Sequence, residues 1–253
     1  MHESAGPPLD SVDRALQLLE SLRDGQILSV KDAAELLSVA PSTAHRLLKA
    51  LQFRRFAQQT DDRGYQAGPA LGFASGEQHS AHQLKVIAQP ALELLHADID
   101  ECAQLMIRHG THIRFIEGIE SDRPLRVAVR IGDQIPAHCS AGGKALLAEL
   151  SRQELQALYA HGLPLWPVAK LTTLEALNDQ LATVRRSGYG VSQNETEPGV
   201  SGVGVVIRDG GGTAVAALTL AIPTARFSRS DLPTYAEALR RASELASRFL
   251  AES

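Results

Sequence analysis

The sequence is poor in cysteine, in aromatic residues and in long apolar runs. Of its 253 residues only Cys102 and Cys139 are cysteines, and 4% are aromatic. Two cysteines far apart in sequence give no disulfide framework and are typical of a reducing compartment. No apolar run approaches the roughly 20 residues that cross a bilayer, which argues against a membrane span. The first residues lack a basic start followed by an apolar core, so we expect no secretory signal and a cytoplasmic protein.

A strong charge of either sign is also missing. Lys and Arg number 25 against 29 Asp and Glu, a formal net charge of −4. This balance argues against a protein whose whole surface binds nucleic acid or anionic membrane, but it permits a local basic patch. A local excess of positive charge lies between Ser42 and Gln66, where five cations accompany only Asp61 and Asp62. At this length the chain fits two domains, each with its own core.

The first 68 residues have the pattern of three short helices. Leucine and valine recur at three- and four-residue spacing from Leu9 to Leu22, and Gly25 follows as a stop signal. Ser29, with Asp32 three positions later, resembles a capping box at the start of a second helix. After three residues, Pro41 opens a third helix. Two helices joined in this way predict a helix-turn-helix.

The third helix and the segment after it carry the candidate DNA contacts. Hydroxyls and cations project away from the leucine face of this helix, and "TDDRG" after it has the chemistry of a hairpin turn, which predicts a two-stranded wing. A helix of this type fits a major groove, and a hairpin arginine can reach the backbone or the minor groove. The alternative is an ordinary solvated face of a small helical bundle. The predicted DNA-binding residues are Ser42, Thr43, His45, Arg46, Lys49, Arg54 and Arg63.

The rest of the chain predicts an α+β domain. We interpret residues 69–84 as a helical linker and residues 85–253 as a second domain. Its β-like segments are "CAQLMIR", "HIRFIEGI", "LRVAVR", "GVVIRD" and "AVAALTLAI", and helical segments are expected at about 144–149, 151–159, 174–187 and 232–252. Strands, then helices, then strands favour a largely antiparallel sheet.

The segment "AHCSAGGKALLA" from Ala137 to Ala148 has the composition of a site. A phosphate-binding loop would need glycine at His138 and a hydroxyl at Ala145, so both requirements fail. A Cys139 nucleophile needs a histidine base, and neighbours on an extended strand point to opposite faces, so His138 is poorly placed. A metal site would need further ligands beside Cys139 or His138, and the spacing of the candidate ligands in the sequence matches no metal-binding motif. We expect no metal and no cofactor.

A simpler interpretation is a helix N-terminus whose free amide groups hold an anion such as a carboxylate. Lys144 is then expected on the solvated side of that helix. A second clue is the polar loop with Ser192, Glu195 and Glu197, followed by a strand in which Thr219 is the one hydroxyl. These residues suit a small polar cluster inside an apolar pocket, or equally a core with one satisfied hydroxyl.

Five segments, in order, resemble one family. They are "SVDRALQLLESL", "AELLSVAPSTAHRLLKAL", "RGYQAGPAL", "IPAHCSAGGKALLAEL" and "VRRSGYGVSQNETEPGVSGVGVVIRD". Over nearly the whole chain the sequence resembles the IclR family of bacterial transcriptional regulators. The resemblance implies a winged helix-turn-helix domain (1–68), a linker helix (69–84) and a GAF-like effector domain with a central antiparallel sheet (85–253). It also implies homodimers, some of which pair into dimers of dimers, and no enzymatic activity.

The same resemblance implies an effector site. The loop Ala141-Gly142 should offer amide groups to a carboxylate, Ser192, Gly202, Thr219 and Ala221 should take the other polar ligand positions, and Val127, Ile135 and Val200 the apolar wall. Members that bind very small oxo-acids often have Asp at the position of Ser192, Cys at Gly202 and a second hydroxyl at Ala221. Because these groups are missing, we expect a roomier pocket and a larger or aromatic effector.

The resulting hypothesis is an effector-responsive regulator, with repression of a catabolic operon as the working interpretation. Its partners would be double-stranded operator DNA and a small organic acid or aromatic metabolite, with no membrane involved. Two alternatives stay open. One is a hydrolase that uses Cys139, and the other is a DNA-binding oligomer that takes no ligand.

Overall fold

The computed structural model describes residues 10–23, 26–60, 63–72 and 79–252, and the chain divides into two compact units, 1–82 and 83–253. The expected stop at Gly25, the Asp61-Asp62 part of the turn and residues 73–78 of the expected linker lie outside the described residues. The domain boundaries at 68 and 84 therefore stay a prediction. Among the described residues, no helix is both long and apolar enough to cross a bilayer.

The N-terminal unit is a helix-turn-helix followed by a hairpin, as the sequence predicts. Its elements are α1 (Asp10–Arg23), α2 (Val30–Leu36), α3 (Pro41–Phe53), β1 (Ala57–Gln59), β2 (Tyr65–Ala67) and the short α4 (Pro69–Gly72). The capping box of α2 is confirmed: Ser29 Oγ accepts from Asp32 N at 3.1 Å, and Ser29 N donates to Asp32 Oδ2 at 3.0 Å. Strands β1 and β2 pair in antiparallel fashion and form the wing.

One apolar core holds this unit together. Leu18 and Leu22 of α1 and Leu48 of α3 are fully buried, together with Tyr65 of the wing. Leu28, just before α2, exchanges two backbone hydrogen bonds of 2.8 Å with Tyr65. The wing is thereby fixed to the helices, which sets its position relative to α3.

The second unit is built on an antiparallel sheet of six strands. Its elements are α5 (Ala81–Ile99), β3 (Cys102–His109), β4 (His112–Ile119), β5 (Gln134–Pro136), a 3₁₀ turn (Ala137–Cys139), α6 (Ala141–Ala148), α7 (Arg152–Leu158), α8 (Leu174–Ser187), β6 (Gly190–Gln193), β7 (Val200–Arg208), β8 (Ala214–Pro223) and α9 (Leu232–Ala251). The strands lie in the order β5-β4-β3-β8-β7-β6. The predicted α+β class with an antiparallel sheet is confirmed.

Helices cover both faces of this sheet. Gly202 and Gly204 of β7 face α6, and because strand residues alternate between faces, Val203 between them points to the other side. Helix α9 packs against β7 and β8, and Arg241 of α9 donates to Asp98 of α5 at 2.9 Å. Burial on both faces explains why β7 and β8 are apolar along most of their length.

Two strand predictions were wrong. The segment "LRVAVR" (125–130) forms no strand, since side chains satisfy part of its backbone: Glu120 Oε1 accepts from Val129 N at 3.2 Å, and Gln104 Nε2 donates to Ala128 O at 3.4 Å. Conversely, the predicted polar loop around Ser192 begins as the edge strand β6, where Ser192 pairs with Gly202 of β7.

Candidate functional site

The outer face of α3 and the wing present the predicted DNA contacts to solvent. Six of the seven predicted residues are exposed and the other, Thr43, is partly buried; the exposed ones are Ser42, His45, Arg46, Lys49, Arg54 and Arg63. Ala44, Leu48 and Leu51 occupy the opposite, buried face of α3. The structure therefore brings the hydroxyls and most of the cations to one side of this helix.

Two cations of this face, Arg46 and Arg54, are not neutralised by an acid among the described residues. Arg240 of α9 bonds to Glu237 and Glu244, whereas Arg46 and Arg54 pair with no carboxylate among the described residues. Lys49 bonds to the neutral Gln52 at 3.0 Å, and the Arg54 guanidinium lies 5.9 Å from the centre of the exposed Phe53 ring. Positive charge that no acid neutralises is available to phosphate groups.

The second candidate site is at the start of α6. Ser140 caps this helix, because its Oγ accepts from Gly143 N at 2.8 Å and its carbonyl from Lys144 N at 2.9 Å. The amide groups of Ala141 and Gly142 have no acceptor among the described residues. Such a helix start favours an anion.

Glycines bring α6 directly onto the sheet. A Cβ on Gly204 of β7 would lie 2.6 Å from Gly142 N, and one on Gly190 of β6 would lie 2.2 Å from the Ala141 carbonyl oxygen. A Cβ on Gly142 would in turn meet Thr219 Oγ1 at 2.6 Å and Met106 Sδ at 2.7 Å. These glycines are thus required for close packing between helix and sheet.

A cavity lies between this helix start, the sheet and the loop after β6. It holds about 370 Å³ of space, including the space at its open mouth. Seven of the nine residues predicted for the effector site line it: Val127, Ala141, Ser192, Val200, Gly202, Thr219 and Ala221. Of the other two, Gly142 faces Gly204 and Met106, and Ile135 is buried in the core beside α6.

Two hydroxyl groups of this cavity lack a good partner among the described residues. Thr196 Oγ1 is buried and has no hydrogen-bond partner among the described residues. Thr219 Oγ1 meets only the weak acceptor Met106 Sδ, at 3.7 Å. Buried polar groups are normally satisfied, so these hydroxyls have capacity to bind a ligand.

Lys144 is not on the solvated side of α6, and that prediction was wrong. Its side chain is fully buried, and Nζ donates to Glu195 Oε2 at 2.6 Å and to Val191 O at 3.0 Å. The reason is position: one turn after Ala141, α6 is still covered by β6 and the following loop. Burial lowers the pKa of Lys144, while the Glu195 charge acts in the opposite sense.

Comparisons with known proteins agree with this arrangement. Residues 11–61 match the model of the IclR helix-turn-helix domain, and residues 77–248 match that of the bacterial transcriptional regulator IclR C-terminal domain. The chain belongs to the IclR family. The family consists of DNA-binding transcriptional regulators and not of enzymes, so this regulator binds DNA and the hydrolase alternative is not favoured.

Relatives of this IclR-family regulator match it over most of their length. The transcriptional regulator XynR of Escherichia coli is 32% identical over 96% of this chain and 98% of its own. The acetate operon repressor of Salmonella typhimurium is 28% identical over 87% and 82%. A crystal structure of an IclR homologue from Microbacterium hydrocarbonoxydans, in complex with 4-hydroxybenzoate, is 24% identical over 96% of this chain and 100% of its own, with a TM-score of 0.63.

The geometry of this IclR-family chain also disfavours a cysteine nucleophile. Cys139 is buried, and burial raises the pKa of its thiol to about 12. The expected extended strand at this point is instead a 3₁₀ turn, and neither ring nitrogen of His138 has a hydrogen-bond partner among the described residues. A thiol that stays protonated and has no base is not a nucleophile.

Sequence reasoning missed several residues that line the cavity of this regulator. They come from β3, β4 and β7, from the cap of α6 and from the loops at the mouth: Gln104, Met106, Phe115, Arg130, Ser140, Thr196 and Ser201. Glu197, which the sequence places in a polar cluster of a possible pocket, also lines the cavity. Its partner is Arg130, which forms an ion pair with it across the mouth. No local motif signals this contact, because 67 residues separate the two in sequence.

Proposed function

We propose that this chain represses a catabolic operon from the cytoplasm and responds to a small organic acid or aromatic metabolite bound in the cavity beside α6. The observation that carries the proposal is a cavity next to the free Ala141 amide group at a helix start, in which the Thr196 hydroxyl has no partner among the described residues. Repression is supported by the acetate operon repressor, which is a relative.

The walls of the cavity favour an effector with an apolar body. Met106, Phe115, Val127 and Val200 supply apolar surface, and hydroxyls of Ser192, Thr196 and Thr219 are placed among them. An apolar pocket with a few polar groups is the usual form of a small-molecule site. The complex of the Microbacterium homologue with 4-hydroxybenzoate supports an aromatic acid as the first compound to test.

For DNA, the proposed contacts are the seven residues of α3 and the wing named above, with Arg46 as the principal one. Each subunit would place α3 in a major groove of a pseudo-palindromic operator.

Val12 and Leu16 of α1 are 50% and 52% exposed, and two apolar side chains on one helix face support self-association. Dimers, and dimers of dimers, are therefore part of the proposal.

The DNA part is tested with Arg46→Ala and DNA from upstream of the gene itself. Operator affinity should fall by about 1–3 kcal/mol if Arg46 contacts a base edge, and a phosphate contact would instead lower affinity for all sequences and reduce the salt dependence. Arg152→Ala is the matched control, since it removes an exposed arginine from the second unit. Unchanged binding by a folded Arg46→Ala protein removes Arg46 from the interface.

The effector part is tested by thermal unfolding in the presence of organic acids. A ligand at a hundred times its dissociation constant should add about 2.7 kcal/mol to the free energy of unfolding. Thr196→Val, which removes the unpartnered hydroxyl, should weaken this effect. If no compound stabilises the protein while operator binding is intact, the ligand-free oligomer is the better description.

A further inference from the structure

The mouth of the effector cavity holds one ion pair. Arg130 lies in the irregular segment before β5, Glu197 lies in the loop between β6 and β7, and Arg130 Nη2 contacts Glu197 Oε2. Both side chains line the cavity, and they are the only ionisable residues among the described residues that do so. Among the described residues the cavity therefore has a single cation, and a carboxylate of the chain is paired with it.

We propose that Glu197 stands in for the carboxylate of the effector, and that an acidic effector binds by replacing Glu197 on Arg130. The inference rests on the proposed function and specifies its ligand class: a monocarboxylate with an apolar or aromatic body. A carboxylate that leaves water for a partly apolar cavity needs a charged or hydrogen-bonding partner. Arg130 is the side chain that can supply the charge, through charge-assisted hydrogen bonds.

The exchange is favourable because the two carboxylates leave different environments. Glu197 is 39% exposed and Arg130 22% exposed, so the pair already lies at the boundary with solvent. A partly exposed ion pair contributes little to stability, and a released Glu197 can be solvated. A ligand whose apolar body fills the cavity adds a favourable contribution that Glu197 does not provide.

The loop that carries Glu197 is held in place independently of Arg130. Glu195 bonds to buried Lys144, and Trp166 Nε1 donates to Thr196 O at 2.8 Å. Asn194 Oδ1 accepts from Gly199 N at 2.7 Å across the loop. The exchange therefore needs a rotation of the Glu197 side chain and leaves the backbone of the loop where it is.

The test compares acids with the primary amides of the same skeleton. Affinities of the full-length protein for 4-hydroxybenzoate and 4-hydroxybenzamide, and for benzoate, phenylacetate and their amides, are measured by titration calorimetry. Glu197→Gln should raise the affinity for the acid about tenfold and leave that for the amide unchanged, because the competing charge is gone. Arg130→Gln should lower the affinity for the acid about tenfold and spare the amide, and Arg130→Lys should restore part of it.

A neighbouring ion pair supplies the matched controls. Arg126 and Glu120 bond at 2.8 Å, are about as exposed as Glu197 and do not line the cavity. Arg126→Gln and Glu120→Gln should therefore leave the ratio of the affinities for acid and amide unchanged. If ligands bind but Arg130→Gln and Glu197→Gln leave that ratio as it is, the exchange is overturned and the amide of Ala141 becomes the better anchor. If neither acids nor amides bind the wild-type protein, the proposed effector function fails and the exchange fails with it.

Discussion

Lys144 shows how one residue joins two parts of the second unit. Its ammonium group belongs to α6, its partner Glu195 to the loop after β6, and both side chains are buried. A buried ion pair adds little net stability, because loss of hydration offsets the attraction, but removal of one partner leaves an uncompensated charge in the interior. The pair is therefore better understood as fixing the position of the loop, which carries Thr196 and Glu197 to the cavity.

Removing one partner of this pair should be more harmful than removing both. Lys144→Met leaves Glu195 buried without its cation and should lower the free energy of unfolding by about 3–5 kcal/mol. The double variant Lys144→Met/Glu195→Leu should recover most of that loss. Urea unfolding measures both, and Lys170→Met, at an exposed lysine, is the control. A single variant as stable as the double one would contradict this role.

His138 should make the stability depend on pH. Burial, and then the charges of Lys144 and His112, lower its pKa from 6.5 to about 4. Between these values the unfolded chain binds a proton that the folded chain does not, so stability falls as the pH is lowered. From pH 7 to pH 5 the loss should be about 2 kcal/mol.

The comparison with His138→Phe isolates this effect, since carboxylates titrate alike in both proteins. Wild type should lose more stability than His138→Phe over this range, as measured by urea unfolding at each pH. His161→Gln, at an exposed histidine, should behave like wild type. Parallel pH profiles for wild type and His138→Phe would show that His138 does not contribute.

Helices and strands differ in how far the sequence predicts them. Helices α1 to α3 carry local signals, namely apolar spacing, the Ser29 cap and Pro41, and the structure confirms all three. The segment "LRVAVR" has an equally good strand pattern, but Glu120 and Gln104 side chains take the place of a neighbouring strand. Strand formation depends on a partner that is distant in sequence, and local patterns do not contain it.

The lining of the cavity likewise depends on contacts between residues that are distant in sequence. Ser192, Thr219 and Ala141 are found through motifs, whereas Gln104 and Phe115 reach the cavity only because β3 lies beside β8 in the sheet and β4 lies beside β3. That strand order is set by packing of the whole unit. Lys144 was misjudged for a related reason: its burial comes from β6 and the loop after it, and not from its own helix.

Close contact between α6 and β7 leads to a prediction for Gly204. In Gly204→Ala the new methyl group would lie 2.6 Å from Gly142 N and 2.7 Å from Gly142 Cα, so α6 must move away from the sheet. Overpacking of this kind costs about 1–3 kcal/mol of stability. Thermal unfolding should show the loss, together with weaker ligand binding.

Gly202 provides the control on the same strand. A Cβ there would meet its nearest atoms at 3.2–3.5 Å, and Gly202 lines the cavity. Gly202→Ala should keep most of the stability and change mainly the affinity for ligands. If Gly204→Ala is no less stable than Gly202→Ala, the glycine at 204 is not needed for the contact with α6.

At the scale of the whole molecule, the two candidate sites differ in charge. The net charge is −4, yet residues 42–66 contain five cations and two acids. Phosphate contacts through these cations release counterions, so operator binding should weaken as salt is raised. The cavity, in the other compact unit, has an acid and a base that cancel each other. Regulation requires that a ligand in one unit changes the affinity of the other for DNA.

Such coupling must be reciprocal. If an effector lowers operator affinity by a given factor, saturating operator DNA must lower effector affinity by the same factor, with typical values of 5- to 150-fold. Calorimetric titration of the stabilising acid into the protein, with and without operator DNA, measures that factor, and DNA titration with and without the acid gives the second side of the cycle. Arg46→Ala, under conditions where it no longer binds the operator, should bind the acid equally well with and without DNA. If wild type binds the acid equally well with and without operator DNA, the compound occupies the cavity without regulating the protein. A ligand shifts an equilibrium only between states that it binds with different affinity.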